Sequence, residues 1–427
     1  MRVRHDCGRT CLGCGNSLPP AFLDLGRMPL ANAYLARAQD CTNEETFPLA
    51  VAYCDSCHLV QLSDIVSPKK MFSEYAYFSS YSESFLEHAR QMAESFIDIF
   101  GLATGSRVLE IASNDGYLLR HFKQRGIEVL GIDPARNIAA EANRRGIPTV
   151  CRFFGEDVAP DIVLNHGKAD LILGNNVLAH VPGINGFLSA VAACLKPHGA
   201  AVFEFPYLRE LIDKVEFDTI YHEHVFYYSL TAMRILAERA GLELFDVMLQ
   251  RVHGGSLRIF IQLPGARPID PRVARMLGEE ARIGLTGRVR YTSLAQQVRE
   301  LKEKLCLMLG EIKETGMRIA AYGAPAKGNT LLNYCGIGRE LIDFTVDRSP
   351  HKQGKLLPGS HLPILPPEEL LARMPEYTVI LPWNIADEII EQQKAYLHAG
   401  GRFIVPVPSP QMIEVSANAA AADVRSL

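Results

Sequence analysis

Apolar residues recur along this chain with two different periods, and the changes of period mark its elements. Phe85, Ala89, Met92 and Phe96 fall three or four apart, with Ile97 beside the last, which lays one face of a helix on a core. Residues 69 to about 100 therefore read as helical. Between 105 and 265, apolar runs of strand length alternate with helical stretches. The runs lie at 107–111, 127–132, 169–174, 200–205, 242–247 and 256–262. That alternation predicts a doubly wound α/β sheet, closed by an antiparallel pair. Leu294, Val298, Leu301 and Leu305 predict a long amphipathic helix within 289–315. A second α/β unit follows, with strands expected at 318–322, 341–346, 378–381 and 402–405. Residues 1–68 show little helical spacing, and the Ala-rich tail from Ser416 is expected to fray. These shifts divide the chain into a module at 1–68, an α/β domain at 69–265, a helical connector at 266–315 and a C-terminal Rossmann-like domain at 316–415.

The richest segment is Glu110-Ile111-Ala112-Ser113-Asn114-Asp115-Gly116. It follows an apolar strand and precedes a helical stretch. One βα unit later the next strand ends in Asp133. A strand, a tight turn of small residues and an acid at the tip of the second strand form the adenosine-holding edge of an open α/β sheet. The turn lacks G-x-G-x-x-G, because Gly116 is its only glycine, so it has no cradle for a pyrophosphate. A cofactor with a ribose and no phosphate fits, and S-adenosylmethionine has that property. Asp133 is placed to accept the ribose hydroxyls. Glu110 and the backbone of Ala112, Asn114 and Gly116 are placed near the methionine end. The same missing fingerprint disfavours a nicotinamide enzyme.

Six of the ten cysteines precede residue 58. Cys11-Leu-Gly-Cys14 and Cys54-Asp-Ser-Cys57 are two C-x-x-C pairs, and two such turns can complete a tetrahedral four-sulfur zinc site. Cys7 is a possible substitute ligand and His58 a weaker one. A redox dithiol is the rival reading. It needs one pair to open a helix of a thioredoxin-like unit, which this segment lacks. A closed four-ligand site is structural, not catalytic.

Groups able to do chemistry cluster near the predicted strand tips. Asn175 to His180 directly follow the strand expected at 169–174. Tyr221-His222-Glu223-His224 lies in a loop before a helix opened by Ser229 or Thr231. Its H-E-H spacing does not fit an H-E-x-x-H zinc helix. Tyr75, Tyr77 and Tyr81 form an aromatic, hydroxyl-rich stretch that suits a lid or a core-packing helix edge. His253-Gly-Gly-Ser256 reads as a hairpin turn. Lys327 and Asn329 sit in a strand-to-helix turn, Tyr322 to Thr330, that makes a candidate anion site. Asp347-Arg348-Ser349 lies at the next strand tip.

Length and charge narrow the setting. The 427 residues are too many for one core. A net charge of −4 argues against a broad nucleic-acid surface. No run of about 18 apolar residues predicts a membrane span. The first residues carry Arg, His and Cys but no apolar signal region, so the cytoplasm is the expected location. The substrate is expected to be a small molecule, and oligomeric state is not readable.

Together these motifs resemble the three-part sugar C-methyltransferases of deoxysugar biosynthesis. The resemblance runs from about residue 10 to 410. It rests on the paired C-x-x-C module, Tyr75-x-Tyr77-x-Ser-Ser, Glu110 to Gly116, Tyr221 to His224, His253-Gly-Gly-Ser-Leu-Arg258 and Tyr322-Gly-Ala-x-Ala-Lys-Gly-Asn329. Ala112 departs from it, because the family usually has glycine there. The resemblance implies methyl transfer from S-adenosylmethionine to C3 of a nucleotide-linked 4-keto-deoxysugar through an enolate. By motif it implies His224 as the base and Glu223 as its orienter or a sugar contact. Tyr75, His180 and Tyr221 would attend the sugar or the enolate oxygen, and Lys327 the nucleotide. Related sequences also act on acceptors other than nucleotide sugars. Three rivals stand beside this reading: C-methylation of a non-sugar acceptor, O- or N-methylation on the same fold, and a zinc-ribbon adaptor with a degenerate cofactor domain.

Overall fold

The computed structural model describes residues 10–72, 83–250 and 254–414. Cys7, Tyr75 to Tyr81, His253 and the Ala-rich tail lie outside the described residues. The chain forms two compact units, each gathered from separate segments. The first takes residues up to Ala21, then Ala52–Arg209 and Glu223–Arg288. The second takes Phe22–Val51, Glu210–His222 and the chain from Val289 onward.

Three short strands precede the main sheet: β1 (Leu23–Met28), β2 (Phe47–Tyr53) and β3 (Val60–Leu62). β1 pairs antiparallel with β2, with Leu23 opposite Val51. The main strands are β4 (Arg107–Ile111), β5 (Glu128–Ile132), β6 (Thr149–Val150), β7 (Ala169–Asn175) and β8 (Leu195–Pro206). The two-residue β9 (Phe226–Tyr227) pairs with β3, and β10 (Glu243–Gln250) and β11 (Ser256–Gln262) complete the set. The first unit's sheet has the order β10-β11-β8-β7-β4-β5-β6. Its strands from β6 to β8 run parallel, and β11 is antiparallel to both neighbours. The expected doubly wound sheet with a terminal antiparallel pair is thus present.

Side chains of a strand alternate between faces, so a sheet covered by helices on both sides needs apolar residues at every position. β4 shows this. Leu109 and Ile111 join the core on one face, while Val108 joins the core on the other with Phe96 and Phe122. The strand order reverses between β4 and β7. The carboxyl ends of those two strands therefore border the crevice where such sheets bind ligands.

The second unit carries β12 (Ile319–Tyr322), β13 (Thr345–Val346), β14 (Ile364–Leu365), β15 (Tyr377–Ile380), β16 (Arg402–Val405) and β17 (Gln411–Ile413). Their order is β14-β13-β12-β15-β16-β17, parallel except for β17. The strand expected over 341–346 shrinks to its last two residues. The long helix Arg288–Glu314 buries Leu294, Val298, Leu301, Leu305 and Leu309, the stripe its spacing predicts. No helix among the described residues is long and apolar enough to cross a membrane.

Candidate active site and zinc module

The turn after β4 is held by its own backbone. Ala112, Asn114 and Gly116 adopt positive φ, at 56°, 49° and 79°. The Ala112 N–H donates to the Ile132 carbonyl at 2.7 Å, and the Asn114 N–H donates to Asp133 Oδ2 at 3.0 Å. Asp133 Oδ1 accepts from the Ala135 N–H at 2.9 Å. Asp133 therefore ties the tip of β5 to the turn after β4, and each of its oxygens keeps a lone pair for a further donor. Gly131 permits the close approach, since a Cβ there would stand 2.3 Å from Ser113 Oγ.

Glu110, on β4, is 1% exposed and its Oε2 has no hydrogen-bond partner. Burial, then repulsion from Asp133 and Asp115, pushes its carboxyl well above the ordinary range. Asp115 has a counter-ion, Arg145 at 2.9 Å, whereas no cation pairs with Glu110 among the described residues. Burial raises Asp133 as well. The turn thus gathers three acids against one cation, Arg145, which Asp115 already engages. These acceptors suit S-adenosylmethionine, a cation that carries a ribose diol and no phosphate. Asn175 ends β7 beside it, with its amide nitrogen 3.6 Å from Met92 Sδ.

Past β7 the chain makes a short turn at Leu178–His180. His180 Nδ1 stands 2.7 Å from the Glu223 carbonyl oxygen. A carbonyl can only accept, so Nδ1 carries the proton and Nε2 keeps its lone pair. Burial pushes His180 down to about 4, so it is neutral near pH 7. The His224 ring stands edge-on to His180 at 4.9 Å between centroids, and 6.4 Å from Tyr227. The structure thus brings His180, Glu223 and His224 together at the tip of β7. Tyr221 and His222 belong to the second unit, so the unit boundary cuts this motif. There the buried His222 packs on Phe47 and has Nε2 3.3 Å from the Phe47 carbonyl.

The His224 loop is stitched at several points. The Val225 N–H donates to the Ala179 carbonyl at 2.7 Å, and the Leu62 N–H to the Val225 carbonyl at 2.8 Å. Ser229 caps helix Leu230–Arg239 by accepting from the Ala232 N–H. A residue that sequence reasoning missed completes that cap. Glu280, fully buried, accepts from the Leu230 N–H at 2.7 Å, the Thr231 N–H at 2.8 Å, the Thr231 hydroxyl at 2.6 Å and the Tyr207 hydroxyl at 2.8 Å. A negative charge at a helix N-terminus also opposes the macrodipole favourably. A second missed pair is Arg258–Glu204, at 2.7 Å and almost wholly buried. Its sequence signal was a glutamate set between Phe203 and Phe205, since a charge inside an apolar run needs a partner.

Cys11, Cys14, Cys54 and Cys57 bring their sulfurs within 4.8 Å of one another. The Cys11–Cys57 and Cys14–Cys54 distances are 3.5 and 3.6 Å. A tetrahedron with zinc–sulfur bonds of about 2.3 Å has edges of about 3.8 Å, so the four fit Zn²⁺. His58 is engaged with Tyr53 instead. A Cβ on Gly13 would stand 2.9 Å from Leu236 and from Leu59, so this knuckle packs on helix Leu230–Arg239.

In the second unit Lys327 Nζ lies 4.0 Å over the Trp383 ring and bonds to Asn384. Trp383 Nε1 donates to the buried Asp218 at 2.7 Å. Asn329 is buried and its amide donates to the Ala31 carbonyl at 2.6 Å. Burial pushes Lys327 down, and Asp218 and Glu216 oppose that.

A doubly wound sheet in this strand order, with an acid pinning its first turn, defines a methyltransferase that uses S-adenosylmethionine. Residues 11–72 match the family described as "Putative zinc binding domain", 85–247 "Methyltransferase domain" and 251–408 "C-methyltransferase C-terminal domain". The chain is 39% identical over 404 residues to the C-methyltransferase NovU of Streptomyces niveus, covering 94% of this chain and 96% of that protein. It belongs to that C-methyltransferase family. A ubiquinone biosynthesis O-methyltransferase of Rhodopseudomonas palustris (strain HaA2) is 35% identical over 104 residues, 23% of this chain and 39% of that protein. Among solved structures, a S-adenosylmethionine-dependent methyltransferase from Clostridium acetobutylicum ATCC 824 aligns with a TM-score of 0.35 and 13% identity. That alignment covers 42% of this chain and 92% of the other.

Proposed function

We propose that the protein methylates C3 of a nucleotide-linked 4-keto-deoxysugar, with His224 as the base that forms an enolate. The observation that carries this reading is the His180–His224 pair at the tip of β7, with His180 buried and neutral. A ketone at C4 acidifies the C3 proton, because the carbanion spreads onto oxygen. A histidine titrates near neutrality and can take that proton. S-adenosylmethionine, when bound, supplies an electrophilic methyl group to the carbon nucleophile. The bond from His180 Nδ1 to the Glu223 carbonyl holds the loop that carries His224. Glu223 orients the base. Tyr75, Tyr221 and His180 are assigned to the acceptor's oxygens, and Lys327 and Asn329 to its nucleotide. Glu110, Ala112, Asn114, Gly116, Asp133 and Asn175 are assigned to the methyl donor.

The test follows solvent deuterium into C3 of a 4-keto nucleotide sugar by mass spectrometry, beside methyl transfer. His224→Ala should cut both by about 10²–10⁴-fold and leave donor affinity intact. Wild-type exchange in that variant would place the base elsewhere. Methyl transfer to oxygen or nitrogen, with no exchange in the wild type, would refute carbon-acid chemistry.

A further inference from the structure

Two thiols meet in the second unit, outside the four-sulfur module. Cys306 lies on helix Arg288–Glu314, and Cys335 is the last residue of helix Ala326–Cys335. The Cys306 sulfur stands 3.4 Å from the Cys335 carbonyl oxygen, and the two thiols hydrogen-bond to each other. Cys306 is half-buried, whereas Cys335 is 6% exposed. One turn before Cys306, Lys302 reaches the same helix end. Its Nζ donates to the Tyr334 carbonyl at 2.7 Å and lies over the Tyr334 ring, 4.7 Å from the centroid. The pair is unequal. The bond from Cys335 pulls Cys306 down to about 7; burial opposes it and the Lys302 ammonium adds to it. The same bond, then burial, pushes Cys335 up. Asp218 acts on Cys335 in that direction too, from a segment whose Phe217 packs on Tyr334 at 5.2 Å. A thiol in the last turn of a helix also sits at the negative end of the macrodipole, which disfavours its thiolate.

We propose that Cys306 and Cys335 form a redox site that reacts with hydroperoxides and closes to a disulfide between the two helices. A solvent-accessible thiolate beside an ammonium is the nucleophile this chemistry needs, and a neighbouring thiol resolves its product. The Cys306 thiolate attacks the hydroxyl oxygen of the peroxide. A sulfur–oxygen bond forms, the oxygen–oxygen bond breaks, and the departing hydroxide or alkoxide takes a proton from solvent. Cys306 is then a sulfenic acid. Cys335 gives up its proton as its sulfur attacks Cys306. The sulfur–sulfur bond forms, the sulfur–oxygen bond breaks, and hydroxide leaves with that proton as water. The two thiols lose two electrons, the peroxide gains them, and a dithiol reductant reverses the change. Other cysteines lack one half of the arrangement. Cys194 is buried, which pushes its thiol up to about 11. Cys151 is exposed and meets the Pro134 carbonyl, not a second thiol. The closed bond ties helix Arg288–Glu314 to the helix that carries Lys327 and Asn329.

The chemistry at sulfur does not depend on the methyl acceptor. Its test exposes the full chain to a small excess of hydrogen peroxide at about pH 7.5, alkylates the remaining thiols and maps tryptic peptides without reduction. Peptides 305–313 and 328–339 carry the two cysteines. They should appear joined, about 2 Da lighter than their sum, and should part again with a dithiol. The readout is specific to these residues, so attack on the four-sulfur module does not imitate it. Cys151 should oxidise about 10-fold more slowly than Cys306. Cys335→Ala should stop at the sulfenic acid, which dimedone traps on Cys306. That variant also removes the bond from Cys335, so alkylation of Cys306 by iodoacetamide should reach its midpoint at higher pH than in the wild type. Absence of the joined peptide in the wild type, or oxidation of Cys151 as fast as Cys306, overturns the site. An alkylation midpoint that Cys335→Ala leaves in place overturns the role given to Cys335.

Discussion

Glu110→Gln separates the needs of the free protein from those of the liganded one. The side chain is 1% exposed, Oε2 has no partner, and burial with two nearby acids raises its pKa well above the ordinary range. A carboxyl whose folded pKa is raised binds its proton more tightly when folded. Its contribution is therefore intact below the ordinary range and is lost as pH rises towards the folded value. Glutamine has the same shape and no charge, so the variant escapes that loss. An unpartnered buried polar group costs about 1–3 kcal/mol. Without ligand, the variant should match the wild type near pH 4.5 and exceed it by about 1 kcal/mol near pH 8, or about 2–4 °C in Tm. Binding should move the other way. Losing a charge-assisted partner for the cationic methionine end should weaken S-adenosylmethionine about 10–100-fold. The wild type should also release protons on binding and the variant should not, as read from calorimetry in two buffers of different ionisation enthalpy. Melting curves from pH 4.5 to 8.5 and these titrations decide it. A variant that is less stable near pH 8, or that binds the donor as tightly as the wild type, would refute the reasoning.

Asp133→Ala removes the acceptor for two backbone N–H groups and, on the proposed assignment, for the ribose, and should weaken donor binding about 10–100-fold by calorimetry. An unchanged Kd would exclude it as the ribose ligand. Glu280→Ala strands four donors at the start of helix Leu230–Arg239 and should cost about 3–5 kcal/mol in urea denaturation, with a loss under 1 kcal/mol counting against the cap. Elemental analysis should give about one zinc per chain. Replacing Cys54 and Cys57 by serine should release it and speed amide exchange in helix Leu230–Arg239, on which the knuckle packs. Full retention of zinc would refute the four-sulfur site.

What could be read from the chain depended on how far apart the determining residues lie. The strand at 107–111 shows through Val108, Leu109 and Ile111, because a strand covered on both faces places apolar residues on each. The acid at the tip of β5 shows as well, since turn and acid are one βα unit apart and the sheet's connectivity brings them together. The zinc pairs show because each C-x-x-C is a local turn. β6, β9 and β14 have two residues each, too few to display a period, and were not foreseen. The grouping of Phe22–Val51 and Glu210–His222 with the C-terminal unit was also hidden, because no local pattern records which distant segment a loop packs on.

The buried ion pair shows where such reading stops. A glutamate between two phenylalanines announces that a partner exists, because an unpaired charge in a core costs several kcal/mol. Only pairing between strands names that partner. Arg258 neutralises Glu204 because antiparallel β11 sets the two directly opposite. A slip of one residue would turn Arg258 to the other face. The guanidinium then lies over Phe96, 5.3 Å from the ring centroid, and so packs helix Glu83–Phe100 onto the sheet. Asn176 donates its N–H to the Glu204 carbonyl at 2.7 Å, tying the same position to the chain that leads to His180. One register choice between two strands thus sets the seating of a helix, the tip of β7 and the start of the turn that holds His180.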